Sequence, residues 1–120
     1  MADEECDFDD LESVLRHTRR QFVRGFAENC SQIEGLWQQA GAGDRSVLPQ
    51  LQKKVHQMAG LAGTIGLPTV SERGAALDRL VARWTKTGAG AAEVPGALAL
   101  IREAFDADLA RSPSDGPTTV

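Results

Sequence analysis

The sequence predicts an all-α fold, an antiparallel up-down four-helix bundle. Apolar residues recur at spacings of three and four through four segments of the 120-residue chain, the period of a helix with one buried face. Short clusters rich in glycine and proline separate these segments, which suits turns between neighbouring helices. No segment shows the strict alternation of a half-buried strand. This length supports one domain with one core, and no internal repeat is present. Tyrosine is absent and aromatics make up 5%, so aliphatic side chains must fill the interior.

Residues 1–7 read as a flexible acidic lead-in, 8–111 as the bundle, and 112–120 (Ser-Pro-Ser-Asp-Gly-Pro-Thr-Thr-Val) as a disordered tail. The first helix is expected to start near Asp9, with Glu12 three positions on as a capping-box partner. Its stripe is Leu11, Leu15, Thr18, Phe22, Phe26, Ile33, Leu36 and Ala40, and Gly41-Ala42-Gly43 ends it. Asp44 or Ser46 can cap the second helix, and Pro49 is tolerated in its first turn. Leu48, Leu51, Val55, Met58, Ala62 and Ile65 form its buried face, with Gly66 as C-terminal cap. Pro68 opens the third helix, whose stripe is Val70, Leu77, Val81 and Trp84 with Leu80 at the edge. Thr87-Gly88-Ala89-Gly90 is a loop. Pro95 then sits in the first turn of a fourth helix that turns Val94, Leu98, Ile101, Phe105 and Leu109 inward. These stripes account for nearly every large apolar residue, so a monomer is expected, with dimerisation through the first helix left open.

Net charge is −4, which argues against general nucleic-acid binding. The charge is segregated. Residues 1–12 hold Asp3, Glu4, Glu5, Asp7, Asp9, Asp10 and Glu12 and no base. Residues 50–90 hold Lys53, Lys54, Arg73, Arg79, Arg83 and Lys86 against only Glu72 and Asp78. Cys6 and Cys30 lie far apart in no ligand-like spacing. No apolar segment suits a signal peptide or a membrane span, and a cytoplasmic location is expected.

The candidate site is the run His56-Gln57-Met58-Ala59-Gly60-Leu61-Ala62-Gly63-Thr64-Ile65-Gly66. His56 follows the stripe residue Val55 by one position, about 100° around the helix, so it sits at the flank of the buried face. The positions three, four and seven beyond it are Ala59, Gly60 and Gly63. An interior glycine costs a helix about 1 kcal/mol relative to alanine, so two beside one histidine suggest that something approaches the imidazole closely. Gln52 and Lys53 share its face toward the N-terminus, and Lys53 is one turn away, where it could pair with an anion on the ring. A neutral, accessible imidazole is a competent nucleophile at cytoplasmic pH.

This run resembles the signature of histidine-containing phosphotransfer (HPt) domains, with His56, Met58, Ala59, Gly60 and Gly66 at the matching positions. The strict motif covers about eleven residues, and the four-helix layout extends the resemblance over roughly 8–111. Many members carry lysine where this chain has Ala59, so Lys53 is the candidate cation, with Lys54 and Arg73 behind it. The resemblance implies a cytoplasmic phosphocarrier in a multistep two-component phosphorelay. His56 would accept and donate a phosphoryl group between the aspartates of receiver domains, those of a hybrid histidine kinase and of a response regulator. Lys53, Ala59, Gly60 and Gly63 would support or clear the phosphate site. Gln52, Gln57, Lys54 and Arg73 would meet the partner. It implies no kinase activity, no cofactor bound by this chain, and Mg²⁺ from the receiver. No Gly-x-x-x-x-Gly-Lys loop accompanies the run.

The competing readings are plainer. A lone helical histidine is usually a surface or satisfied core residue, and glycines also serve close helix packing. A helical adaptor that only binds partners is the alternative function. A metal site from His17, His56, Cys6 and Cys30 trails it, because none has a paired ligand spacing. His17, among Arg16, Arg19 and Arg20, reads as a solvated face, and Cys30 as a small buried residue. Trp37 and Trp84 read as core. Thr118-Thr119-Val120 resembles a C-terminal PDZ ligand, a match too short to carry weight.

Overall fold

A computed structural model of the chain describes residues 2–111, so the expected tail at 112–120 lies outside the described residues. The helices are α1 (Ala2–Gly41), α2 (Leu48–Thr64), α3 (Pro68–Thr87) and α4 (Val94–Arg111). Single 3₁₀ turns at Arg45–Val47 and Ala91–Glu93 lead into α2 and α4. No strand occurs among the described residues. Every sequential pair is antiparallel: Gln39 of α1 bonds Asp44 before α2, while Arg19 reaches Ile65 at the far end of α2. His56 and Asp78 join α2 to α3, and Thr69 and Asp108 join α3 to α4.

The expected stripes make the core. Phe22, Phe26, Cys30 and Ile33 of α1 pack with Leu51, Val55, Met58 and Ala62 of α2, Val70, Leu77, Val81 and Trp84 of α3, and Val94, Leu98 and Ile101 of α4. Phe26 stacks on Phe105 with centroids 3.8 Å apart. Trp37 is half-buried and donates its indole N–H to the Ala91 carbonyl at 2.7 Å. α2 ends as expected. Gly66 takes the left-handed conformation (φ +85°), and the Leu67 amide donates back to Ala62, closing a Schellman turn. Asp44 caps the 3₁₀ turn ahead of α2, accepting from the Ser46 amide. Bonds from Ser46 and Gln39 hold its carboxyl below the usual carboxylate range.

Three features depart from the sequence reading. First, α1 begins at Ala2 and not near Asp9, so the segment expected as a flexible lead-in has a helical backbone. Acidic residues are favoured in a first helical turn by the helix dipole. Second, the α1 stripe is not buried throughout. Leu11 and Leu15 are 57% and 37% exposed, because α1 has 40 residues and its partners have 17 to 20. At 1.5 Å per residue it outruns them by roughly 30 Å. Third, Arg19 does not belong to a solvated face. It is buried and donates to the Ile65 carbonyl at 2.6 Å and to Gly66 at 3.3 Å, placing a cation at the carbonyl end of α2.

The opposite arrangement holds α3 at its start. Asp108 of α4 is buried and accepts from the Thr69 and Val70 amides, each at 2.9 Å, and from Arg111. No residue of α3 caps its own N-terminus, so a side chain from another helix satisfies two of its orphan amides.

Candidate functional site

His56 stands where its spacing puts it. Val55 before it is fully buried, and its own side chain, at the flank, is 77% exposed. Asp78 stands in the same relation to α3: it follows the buried Leu77 by one position. In antiparallel neighbours these two flanks meet, and His56 Nδ1 lies 2.8 Å from Asp78 Oδ2. An ionised carboxylate only accepts, so the ring donates from Nδ1–H. That bond selects the tautomer in which Nε2 keeps its lone pair, on a ring open to solvent. The second Asp78 oxygen is buried and has no hydrogen-bond partner. With one oxygen shut away from water, the carboxylate is directed at the imidazole.

The small residues around His56 divide into two kinds. A Cβ built on Gly60 would meet nothing within 4 Å, so this position opens onto solvent beside the ring. Ala59 and Gly63 serve a different contact. Ala59 is 7% exposed, a Cβ on Gly74 of α3 would fall 2.9 Å from its own, and its carbonyl accepts from Ser71 Oγ at 2.9 Å. A Cβ on Gly63 would come 3.0 Å from Ser71 Oγ. The expectation that Ala59 and Gly63 clear space around the imidazole is therefore corrected for both: they let α2 and α3 approach closely. The close approach is what carries Asp78 to His56. It also explains the alanine, since position 59 faces α3 and leaves no open space for a long side chain.

The expected flanking residues lie on two sides of α2. Lys53 is exposed one turn before His56, on its face, and Gln52 beside it is half-buried. Lys54 and Gln57 turn toward α1, where with Phe22, Asn29, Met58 and Leu61 they line a shallow depression. Arg73 is exposed on α3 next to Gly74. The structure thus groups His56, Lys53, Gly60 and Asp78, and sets Lys54 and Gln57 apart from them. Asp78 is the residue beside His56 that the sequence reading missed. Its signal was the shared register: an acid one position past a stripe residue, as the histidine is.

The other candidates do not converge on this site. His17 is exposed on α1. Cys30 is fully buried, and burial pushes its thiol up, with Arg102 partly opposing the shift. Among the described residues no three His, Cys, Asp or Glu side chains gather in a way that could hold a metal ion. None of the described helices is long and apolar enough to cross a membrane.

The model of one protein family, described as the Hpt domain, matches residues 8–111. No curated protein and no solved structure matches the chain.

Proposed function

The chain belongs to the Hpt domain family, whose members carry out histidine phosphotransfer in phosphorelay signalling, and on that premise we propose that His56 is its phosphoryl acceptor and donor. The observation that carries this reading is the Asp78–His56 bond on an exposed ring, which in the neutral imidazole places the lone pair on Nε2, the nitrogen not engaged by Asp78. The partners are receiver domains, those of a hybrid histidine kinase and of a response regulator, in the cytoplasm. The chain acts as a carrier, without turnover of its own.

The bond changes balance without a proton transfer. The Nε2 lone pair attacks phosphorus of a receiver's aspartyl phosphate in line with the acyl oxygen. The N–P bond forms as the P–O bond breaks, and the receiver's carboxylate leaves with the electron pair. The ring keeps its proton on Nδ1 and becomes positive, and Asp78 meets that charge where it develops. Phosphoryl transfer depends on positioning and charge stabilisation more than on acid–base work. Gly60 supports the positioning, because nucleophile and phosphorus must come within about 3–3.5 Å across two protein surfaces. The receiver would supply Mg²⁺ to offset the phosphoryl charge, and Lys53, exposed one turn before His56, is a cation of this chain on the same face. The reverse step passes the group to a second receiver.

Incubation with a phosphorylated receiver tests the proposal. The expected product is an acid-labile, alkali-stable phosphate on this chain, absent in His56→Gln while helicity persists. Label retained by His56→Gln would overturn the assignment and favour the adaptor reading for this histidine.

A further inference from the structure

We propose, on the reading of His56 as the acceptor, that Asp78 keeps a proton on Nδ1 after the ring has been phosphorylated, so that the loaded chain holds its phosphoryl group in a form ready to leave. Phosphorylation fills Nε2 and leaves Nδ1 as the one titratable atom of the ring. A proton there makes the loaded ring cationic, and its loss makes the ring neutral. The site favours the first form. Asp78 Oδ2 lies 2.8 Å from Nδ1. Without the proton, a ring lone pair and a carboxylate lone pair would face each other at that distance with no hydrogen between them. Water offers the carboxylate little instead, because its side chain is 22% exposed and Oδ1 is buried without a partner. Its own helix offers no substitute either. The positions three and four away from Asp78 on α3 are Gly74, Ala75, Val81 and Ala82, so no cation there competes for the carboxylate. On α2, Lys53 is exposed one turn before the ring, and among the described residues no charged side chain other than Asp78 pairs with it.

That proton decides how the ring departs. A receiver's aspartate oxygen attacks phosphorus in line with Nε2. The P–O bond forms, the N–P bond breaks, and the electron pair returns to Nε2. With Nδ1 protonated, the departing group is a neutral imidazole in the tautomer that accepted the phosphoryl group. With Nδ1 bare, it would be an imidazolate anion, a far poorer leaving group. No proton has to be delivered or removed during donation, so one carboxylate serves both directions of the relay. The consequence is a phosphohistidine that also yields to water at mildly alkaline pH while the chain is folded. The ordinary alkali stability of phosphohistidine returns once the chain unfolds and Asp78 is no longer beside the ring.

The lifetime of the loaded chain tests this without a receiver. Phosphoramidate, a small phosphoryl donor to imidazoles, loads the full chain in a His17→Gln background, where His56 is the one remaining histidine. ³¹P NMR then follows the loss of the phosphohistidine signal. In the folded chain the rate of loss at pH 9 should stay within about twofold of the rate at pH 7. In Asp78→Ala it should fall about tenfold or more over the same interval, because an opposite charge this close favours the protonated form by at least that factor. Asp78→Asn, which keeps an acceptor without the charge, should lie between them, and circular dichroism checks that both variants stay folded. The chain unfolded in urea should match Asp78→Ala. A folded chain whose rate falls as steeply as that of both variants overturns the proposal and leaves His56 as the acceptor. Failure of the acceptor reading shows separately, as receiver-derived label retained by His56→Gln, and overturns the proposal with it.

Discussion

Asp78→Ala isolates the contribution of the carboxylate that orients His56. The bond is 2.8 Å long, between a ring 77% exposed and an acid side chain 22% exposed. Solvent-exposed ion pairs are worth about 0–1 kcal/mol, whereas hydrogen bonds to charged groups reach about 1.5–3 kcal/mol. A pair with one shielded member falls between, at about 1–2 kcal/mol. The part that acts on the barrier is the strengthening of the bond as positive charge grows on the ring during attack, together with holding the lone pair on Nε2. Removing it therefore slows transfer from a phosphorylated receiver by up to about 30-fold. The fold should survive, because the substitution also removes a buried oxygen that has no partner. Rapid-quench measurement of labelled transfer gives the rate, and ¹⁵N spectra of the imidazole give the tautomer. The Nδ1–H form should dominate in the parent and decline in Asp78→Ala. Asp78→Asn, which keeps an acceptor but no charge, should lie between them. A rate for Asp78→Ala within about twofold of the parent, with the tautomer unchanged, would refute the reasoning.

The two kinds of glycine separate in a paired experiment. Gly60→Ala should raise stability by up to about 1 kcal/mol in denaturant titration, since its Cβ meets nothing, while Gly60→Leu should slow transfer with the melt preserved. Gly74→Ala places a Cβ 2.9 Å from that of Ala59 and should cost about 1–3 kcal/mol by forcing α2 from α3. Asp108→Ala strips two amides at the start of α3 of their acceptor and should lower stability by about 2–3 kcal/mol in the same titration. Asp44 has a carboxyl held below the usual aspartate range by its bonds from Ser46 and Gln39, so its contribution is present above the ordinary aspartate pKa and fades as pH falls through the lower native value. The melting difference between the parent and Asp44→Ala should therefore shrink on acidification below about pH 4, and a difference independent of pH would count against it.

Helical periodicity and turn chemistry are local, and they made the helices readable. Val55, Met58 and Ala62 could only form one face, and Gly66 before Leu67 could only end the helix. His56 at the flank of that face followed from the same arithmetic, as did the openness at Gly60. Interactions between helices were not readable in this way. Arg19 looked like one of several surface arginines until the end of α2 came within reach of its guanidinium, and Asp108 occupied a core-facing position with no local reason to be charged. Ala59 and Gly63 were assigned to the imidazole because sequence spacing records neighbours on one helix only. The partner they answer to, Ser71 and Gly74, lies on another.

By itself the sequence determined four amphipathic helices, their turns and an accessible histidine on the second, because each depends on spacings within one segment. Only the tertiary structure decided that Asp78 holds the ring by Nδ1, that small residues at 59, 63 and 74 let α2 and α3 come close enough for it to do so, and that Leu11 and Leu15 of the α1 stripe stay exposed. Those facts depend on how far each helix reaches and how closely two helices approach, and the distance between elements is written in no single one of them.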